Sequence, residues 1–366
     1  MLYINIVVIA LLIAQDLLLW LLGTYRFIDH AAGKKIAEWP RVTILVPARN
    51  EEFHLPDCLL SLEQLDYPLS RLQFVIGDDH STDKSSHIIK EWAARGENRF
   101  YYPVGSPPSK YINGKANALS QMARIADGEL LLCTDADCAV NPAWVKEMVA
   151  AYRREGGLVT GITAVRTDSL FSHMQSLDWW LTLGMIKCTS DLAHSVTAMG
   201  NNMIVGKEAY SAVGGFENIP FSVTEDFALA HALIGKGYKP VHQVSPRSLV
   251  MTKAEKNLFE LMKQRKRWMK GAMSLPWYWI LLLALQCGFF PAIIYLLIYN
   301  PFLSTGVWLG KIVIQSLFIR MFAGRAGIKV SGLHLLLFEF YYLTVSWCTI
   351  VYYFWPSSIS WKERRY

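Results

Sequence analysis

Val42-Thr-Ile-Leu-Val46 is a β-branched apolar run that stops at Pro47. Two more runs of the same kind follow: Leu72-Gln-Phe-Val-Ile76, which stops at Gly77-Asp78-Asp79, and Leu130-Leu-Leu-Cys133, which stops at Asp135. Short apolar runs bounded by polar or turn residues read as strands buried on both faces. Helical segments lie between them, for example Leu55 to Leu65 and Ser85 to Arg95. Alternation of this kind predicts an α/β fold with a mostly parallel sheet. Such sheets bind ligands beyond the carboxyl ends of their strands, at the point where strand order reverses. The polar clusters of this sequence fall at those ends.

Outward from these strands the composition changes. Of 366 residues, 52% are hydrophobic, and they concentrate at the two ends of the chain. Leu2 to Leu22 form one apolar run, and Trp277 to Trp355 form a second zone with few charges. A span needs about 20 apolar residues to cross roughly 30 Å of hydrocarbon. The predicted organisation is an N-terminal transmembrane anchor over residues 1–24 and a globular domain over 40–256. An amphipathic interfacial helix over 257–276 follows, then a C-terminal transmembrane region over 277–356 with about three segments. The first run reads as a retained anchor rather than a cleaved signal peptide.

Net charge is +6. The basic residues gather beside the apolar zones: Arg26, Lys34 and Lys35 after the first, and Lys263, Arg265, Lys266, Arg267 and Lys270 before the second. That placement suits anionic headgroups and sets the globular domain on the cytoplasmic side. It argues against a nucleic acid partner, which would draw basic residues over a soluble face. The basic tail Lys362 to Arg365 then falls on the far side, so one C-terminal segment is expected to be re-entrant. The cysteines Cys58, Cys133, Cys138, Cys188, Cys287 and Cys348 form no CxxC pair, so no zinc site is expected and a reducing compartment fits.

Five segments have the residue types that chemistry needs, and each also has a plainer reading. Asp135-Ala-Asp137 ends an apolar strand, where two carboxylates can converge on a hard cation such as Mg2+ or Mn2+, or can simply cap the strand. Asp78-Asp79 with Ser81-Thr-Asp83 can accept from a base or a ribose, or can start a helix. Asn113-Gly-Lys115 sets a lysine at a helix N-terminus, which suits a diphosphate as well as solvent. Thr224-Glu-Asp226 opens an apolar helix as a cap or as a general base. Gln264-Arg-Lys-Arg-Trp268 offers a guanidinium and an indole, for headgroup anchoring or for gripping phosphate and a ring.

Taken in order, these segments resemble the membrane-bound inverting glycosyltransferases of family 2, which have a catalytic domain of the GT-A type. The matching pieces are Val46-Pro-Ala-Arg-Asn-Glu51, Asp78-Asp79 with Ser81-Thr-Asp83, Asn113-Gly-Lys115, Asp135-Ala-Asp137, Gly214-Gly-Phe216, Thr224-Glu-Asp226 and Gln264-Arg-Lys-Arg-Trp268. The last has the form QxxRW, typical of the branch that includes ceramide glucosyltransferases and cellulose, chitin and hyaluronan synthases. The resemblance implies a Rossmann-like GT-A domain with transmembrane helices at both ends.

The resemblance also implies roles. Pro47, Ala48 and Glu51 line the nucleoside pocket, and Asp79 contacts the base. Lys115 lies near the diphosphate, Asp137 ligates Mg2+ or Mn2+, and Asp135 faces the donor. Asp226 is the base, supported by Glu225. Gln264, Arg267 and Trp268 meet donor and acceptor. Asn201 and Asn202 match a loop near the acceptor, and Trp179 lies in a stretch that can cover an apolar acceptor. His80 departs from the small residue usual after the paired aspartates. The implied reaction transfers a sugar from a nucleotide-sugar, by resemblance a UDP-sugar, to a lipid hydroxyl at the cytoplasmic membrane face. A processive polysaccharide synthase acting on a glycan is the alternative, and a non-catalytic nucleotide-sugar-binding subunit is a third reading.

Overall fold

The computed structural model describes residues 2–32, 36–107, 112–357, 360–361 and 364–365. Lys34, Lys35 and Lys362, counted above among the basic flanks, lie outside them. The chain divides into two compact units: residues 28–164, 189–253 and 360–366 form one, and residues 1–27, 165–188 and 254–359 the other.

Along the chain come α1 (Leu2–Tyr25), β1 (Val42–Ala48), α2 (Leu55–Glu63), β2 (Leu72–Asp78), α3 (Ser85–Ala93), β3 (Arg99–Pro103), α4 (Gly114–Ile125) and β4 (Leu130–Thr134). They are followed by β5 (Ala139–Val140), α5 (Trp144–Glu155), β6 (Leu158–Thr160), β7 (Thr163–Val165), α6 (Leu170–Asp191), β8 (Asn202–Gly206), α7 (Lys207–Ala212), α8 (Gly215–Asn218) and α9 (Glu225–Gly235). Last are β9 (Val241–His242), β10 (Val250–Thr252), α10 (Leu258–Ala272), α11 (Trp277–Cys287), α12 (Phe289–Tyr299), α13 (Pro301–Arg325) and α14 (Gly332–Phe354).

In the first unit a seven-stranded sheet runs in the order β3-β2-β1-β4-β8-β6-β9. The run β3, β2, β1, β4 is parallel, β8 is antiparallel to both β4 and β6, and β6 pairs parallel with β9. The chain steps outward from β1 through β2 to β3 and returns to the other side of β1 as β4. The strand order therefore reverses between β1 and β4, the point at whose carboxyl ends sheets of this kind bind ligands. Pro47 and Ala48 end β1, and Asp135 follows β4.

Alternate residues of these strands feed two cores, as the period-two geometry of a strand requires. Val42, Ile44 and Val46 of β1, Phe74 and Ile76 of β2, and Leu130 and Leu132 of β4 pack with Leu55, Leu59 and Leu62 of α2 and Trp144 and Met148 of α5. Leu45, Val75, Leu131 and Cys133 point the other way, onto Leu119 and Met122 of α4 and Leu229 and Leu233 of α9. Burial on both faces explains why the strands read as continuous apolar runs rather than alternating ones.

Among the described residues the second unit holds four helical segments long and apolar enough to cross a membrane: Leu2–Tyr25, Trp277–Tyr299, Pro301–Arg325 and Gly332–Phe354. The second of these is two helices, α11 and α12, that meet at Gly288. Ile9 and Leu12 of α1 pack on Phe289, Phe290 and Ile293 of α12. Apolar side chains such as Leu18, Ile294, Leu309, Leu336 and Val351 face outward. The apolar zones also hide charge. Lys311 of α13 pairs with both carboxylate oxygens of Glu339 of α14 at 2.7 Å, and Gln315 accepts from the same ammonium at 2.8 Å.

Candidate active site

Parallel pairing sets Pro47 beside Gly77 and Ala48 beside Asp78, so the ends of β1 and β2 are level. The Ala48 carbonyl accepts from the Asp79 N–H at 2.9 Å, which fixes the Asp79 backbone. The Asp79 side chain is buried, and its Oδ1 lies 3.2 Å from His80 Nδ1. His80 sits at φ 59, in the left-handed region that favours glycine. A residue larger than the usual small one is therefore held in strained backbone, with its ring against the aspartate expected to read the base. The Asp78 side chain serves the loop, accepting from Ser81 N at 3.0 Å and from the Tyr101 hydroxyl at 3.3 Å.

Lys115 joins two distant motifs. The Asn113 side chain caps α4 by accepting from Ala116 N at 2.7 Å, which sets Lys115 in the first turn. Its Nζ lies 2.6 Å from Asp135 Oδ1 and 3.2 Å from Glu225 Oε1. The Asn113 amide reaches Glu225 Oε2 at 3.4 Å. Burial pulls the ammonium down, but Asp135, Glu225 and Asp226 outweigh it and raise the lysine well above its ordinary range. This lysine is half-buried and committed to carboxylates rather than left to solvent.

Asp226 stands at the start of α9, half-buried, beside Glu225. Its Oδ2 accepts from Gly200 N at 2.7 Å and its Oδ1 from Phe227 N at 2.8 Å. A Cβ at position 200 would come within 3.1 Å of the Asp226 carboxylate and side chain, so the close approach requires glycine. Burial first, then the Glu225 charge, pushes the Asp226 carboxyl up to about 6, against the pull of Lys115 and the two backbone N–H groups. A carboxylate tuned toward neutrality in a polar crevice has the character of a general base. Thr224, the residue before α9, makes no side-chain cap, and Asp226 Oδ1 takes up one first-turn N–H while Oδ2 reaches Gly200 N outside the helix.

Asp137 pairs with Lys253, a residue that sequence reasoning passed over: Lys253 Nζ is 3.2 Å from Asp137 Oδ2 and 3.2 Å from Glu51 Oε2. Burial lowers the Lys253 ammonium, and Asp137 and Glu51 more than restore it, leaving it raised. Asp135, two residues away, is raised by burial despite Lys115, with the Asp137 charge adding to the rise. Glu51, expected at the nucleoside, thus has its carboxylate on the Asp137 side.

Among the described residues no group of three or more His, Cys, Asp and Glu gathers as a metal cluster. The donor set still fits a hard divalent ion, since such ions take one or two carboxylates and fill the rest with phosphate oxygens and water. The ammonium at Asp137 is the stand-in that marks where positive charge is wanted.

Asn201 and Asn202 part company. Asn202 is fully buried: its Oδ1 accepts from Trp144 Nε1 at 2.8 Å, and its Nδ2 donates to Ile162 O at 2.8 Å and Ser248 O at 2.9 Å. Both amide protons are used inside the fold, so Asn202 ties elements together instead of meeting an acceptor. Asn201 stays partly open and accepts from Thr163 Oγ1 at 3.2 Å.

Trp179, Gln264, Arg267 and Trp268 belong to the unit that carries the apolar helices. Within it, Trp179 and Trp268 meet edge to face at 5.4 Å, and the Arg265 guanidinium lies 5.1 Å from the Trp268 ring while pairing with Asp178. Gln264 Nε2 donates to Glu255 Oε1 at 2.6 Å. Lys266 donates to Trp355 O at 2.7 Å and Ser357 Oγ at 2.8 Å, fastening α10 to the end of α14.

The sequence profile of glycosyl transferase family 21 matches residues 3–366. The chain belongs to glycosyl transferase family 21. By class this family 21 chain is a glycosyltransferase, as the motif order implied. It is 27% identical over 234 residues to a poly-β-1,6-N-acetyl-D-glucosamine synthase of Staphylococcus epidermidis, covering 63% of this chain and 54% of that protein. It is also 27% identical over 265 residues to the synthase of the same description from Staphylococcus aureus, covering 69% and 61%. The chain thus spans between half and two thirds of these relatives' length. Among solved structures it resembles the mannosyltransferase PcManGT from Pyrobaculum calidifontis, in complex with GDP-Man and Mn2+, at a TM-score of 0.58 and 17% identity, over 98% of this chain and 100% of that one. The fold of the family 21 chain is of the GT-A type.

Proposed function

We propose that this family 21 chain is an inverting glycosyltransferase that moves a sugar from a nucleotide-sugar, a UDP-sugar first, onto a hydroxyl of a membrane lipid at the cytoplasmic face. The observation that carries the proposal is the Lys115 bridge, which brings Asp135 and the Glu225-Asp226 pair together from segments far apart in the chain. A donor sugar held at Asp135 would then lie beside a base poised near neutrality.

In this mechanism Asp226 takes the proton of the acceptor hydroxyl. The oxygen attacks the anomeric carbon from the face opposite the nucleotide. The bond to the diphosphate breaks, its electron pair leaves with the nucleoside diphosphate, and configuration inverts. A positioned carboxylate of this kind contributes about 10²–10⁴ in rate. Glu225 and Lys115 hold the charge balance around the base, and Gly200 N fixes its orientation. Asp137 would hold Mg2+ or Mn2+, which when bound neutralises charge on the departing diphosphate. The solved neighbour's GDP-Man and Mn2+ support a nucleotide-diphosphate donor and a divalent ion. Pro47, Ala48 and Asp79 are assigned to the nucleoside, and Gln264, Arg267 and Trp268 keep the roles that the resemblance gives them.

Four apolar helices support a chain inserted in a membrane through an anchor over 1–24 and a region over 277–356, with the catalytic domain over 40–256 and the interfacial helix over 257–276. A second reading, a processive synthase extending a glycan, is favoured by the polysaccharide synthases among the relatives.

The test is a screen of UDP- and GDP-sugars against native lipid extract with purified protein, with and without Mn2+, read by mass spectrometry. A lipid carrying one sugar is expected. A ladder of sugars would establish the second reading, and absence of donor turnover with every sugar would sink both. Asp226→Asn should abolish transfer and leave donor binding nearly intact; equal loss of both would make Asp226 a binding residue.

A further inference from the structure

Lys253 follows β10, which pairs antiparallel with β5, Val250 against Val140 and Met251 against Ala139. Carrying that register on by two residues sets Lys253 across from Asp137. Its ammonium accordingly lies 3.2 Å from Asp137 Oδ2 and 3.2 and 3.3 Å from the two Glu51 oxygens. The three side chains are not alike in burial. Glu51 is 4% exposed, Asp137 19% and Lys253 35%. A carboxylate buried as deeply as Glu51 needs a fixed counter-charge, whereas Asp137 can meet water. The lysine's hold on Glu51 is therefore the lasting one, and its hold on Asp137 is exchangeable.

We propose that Lys253 is a resident counter-cation, which a divalent ion must displace from Asp137 while Glu51 retains it, so that metal loads well only together with a nucleoside diphosphate. The inference rests on the reading of Asp137 as the metal ligand. An ammonium and a divalent ion compete for the same carboxylate oxygen and repel each other at short range. A diphosphate brings the negative charge that offsets this repulsion, so the two ligands bind with positive coupling, and the coupling is reciprocal. The arrangement would keep the protein from capturing metal without substrate.

The test measures Mn2+ binding by the electron paramagnetic resonance of free Mn2+, with full-length protein in detergent, alone and with UDP or GDP. Wild type should bind Mn2+ weakly alone and about tenfold more tightly with the nucleotide. Lys253→Met should bind Mn2+ alone about tenfold more tightly than wild type and show less gain from the nucleotide. Lys253→Arg, which keeps the charge, should behave as wild type. Unchanged or weaker Mn2+ binding by folded Lys253→Met overturns the proposal. If that variant does not fold, absence of coupling between Mn2+ and both nucleotides in wild type overturns it equally. Asp137→Asn separates the two readings: if it binds Mn2+ with nucleotide as well as wild type does, the ligand assignment of Asp137 has failed.

Discussion

Replacing Asp226 by asparagine tests whether the proposed base is held at an energetic disadvantage. The carboxyl is pushed from 3.8 to about 6 by burial and by Glu225. Between those pH values the folded protein holds a proton that the unfolded chain has released, so raising the pH strips it from the folded state and lowers stability. A displacement of about 2 pH units corresponds to about 3 kcal/mol at 1.36 kcal/mol per unit. Asp226 is half-buried, and solvent screening reduces the expected loss to about 1–3 kcal/mol. Asparagine has no such proton. It also weakens the bond to Phe227 N or to Gly200 N, but that loss is the same at every pH and drops out of the comparison. The assay is thermal unfolding in detergent, wild type and variant side by side, from pH 4 to pH 8. At about 2 °C per kcal/mol for a chain of this size, the melting temperature of the variant minus that of wild type should grow by about 2–6 °C as pH rises through 4 to 6, then level off. A difference that stays constant with pH, or one that shrinks, refutes the assignment of a raised carboxyl to Asp226. Wild-type transfer should rise over the same window as the base ionises.

Lys115→Met removes a cation shared by Asp135 and Glu225 and should destabilise the protein by about 3–5 kcal/mol, read by denaturant unfolding. In protein that still folds, the acid limb of transfer should move to higher pH, because a charge that holds Asp226 down is gone. Gly200→Ala forces a Cβ to within 3.1 Å of the Asp226 carboxylate and should lower kcat by about 10–100-fold with little change in donor binding, measured by steady-state kinetics and calorimetry. Lys311→Met strands Glu339 between α13 and α14 and should lower stability by about 3–5 kcal/mol, whereas Lys311→Met with Glu339→Leu should recover most of it in the same unfolding assay.

Much of this was legible in the sequence because the signals were local. Strands β1, β2 and β4 were read to within two residues at each end, since burial on both faces makes each a continuous apolar run. Lys115, Glu225 and Asp226 stood out because they open helices, and Asp135 and Asp137 because they follow an apolar strand. What escaped depended on distant neighbours. Lys253 is aligned with Asp137 through a pairing between strands of two and three residues, too short for any periodicity to announce. Asn202 looks like its neighbour Asn201 until Trp144, Ile162 and Ser248 claim its amide. The lone charges of α13 and α14 suggested sparse polarity in the apolar zone, and only helix packing makes them a pair. A continuous apolar run over 277–299 gave no sign of two helices, although Gly288 was the residue to suspect.

The double burial of β1 has a consequence for how this protein can work. Both neighbours of β1 are bonded along it, and its side chains are locked alternately into opposite cores. No small slide of that strand is available, because any slide disturbs both layers together. Its amides should be among the last to exchange with deuterium, tracking global unfolding. For the nucleotide proposed to bind at its end, β1 would be an anvil rather than a jaw, and the movements of turnover would fall to whatever is brought against it.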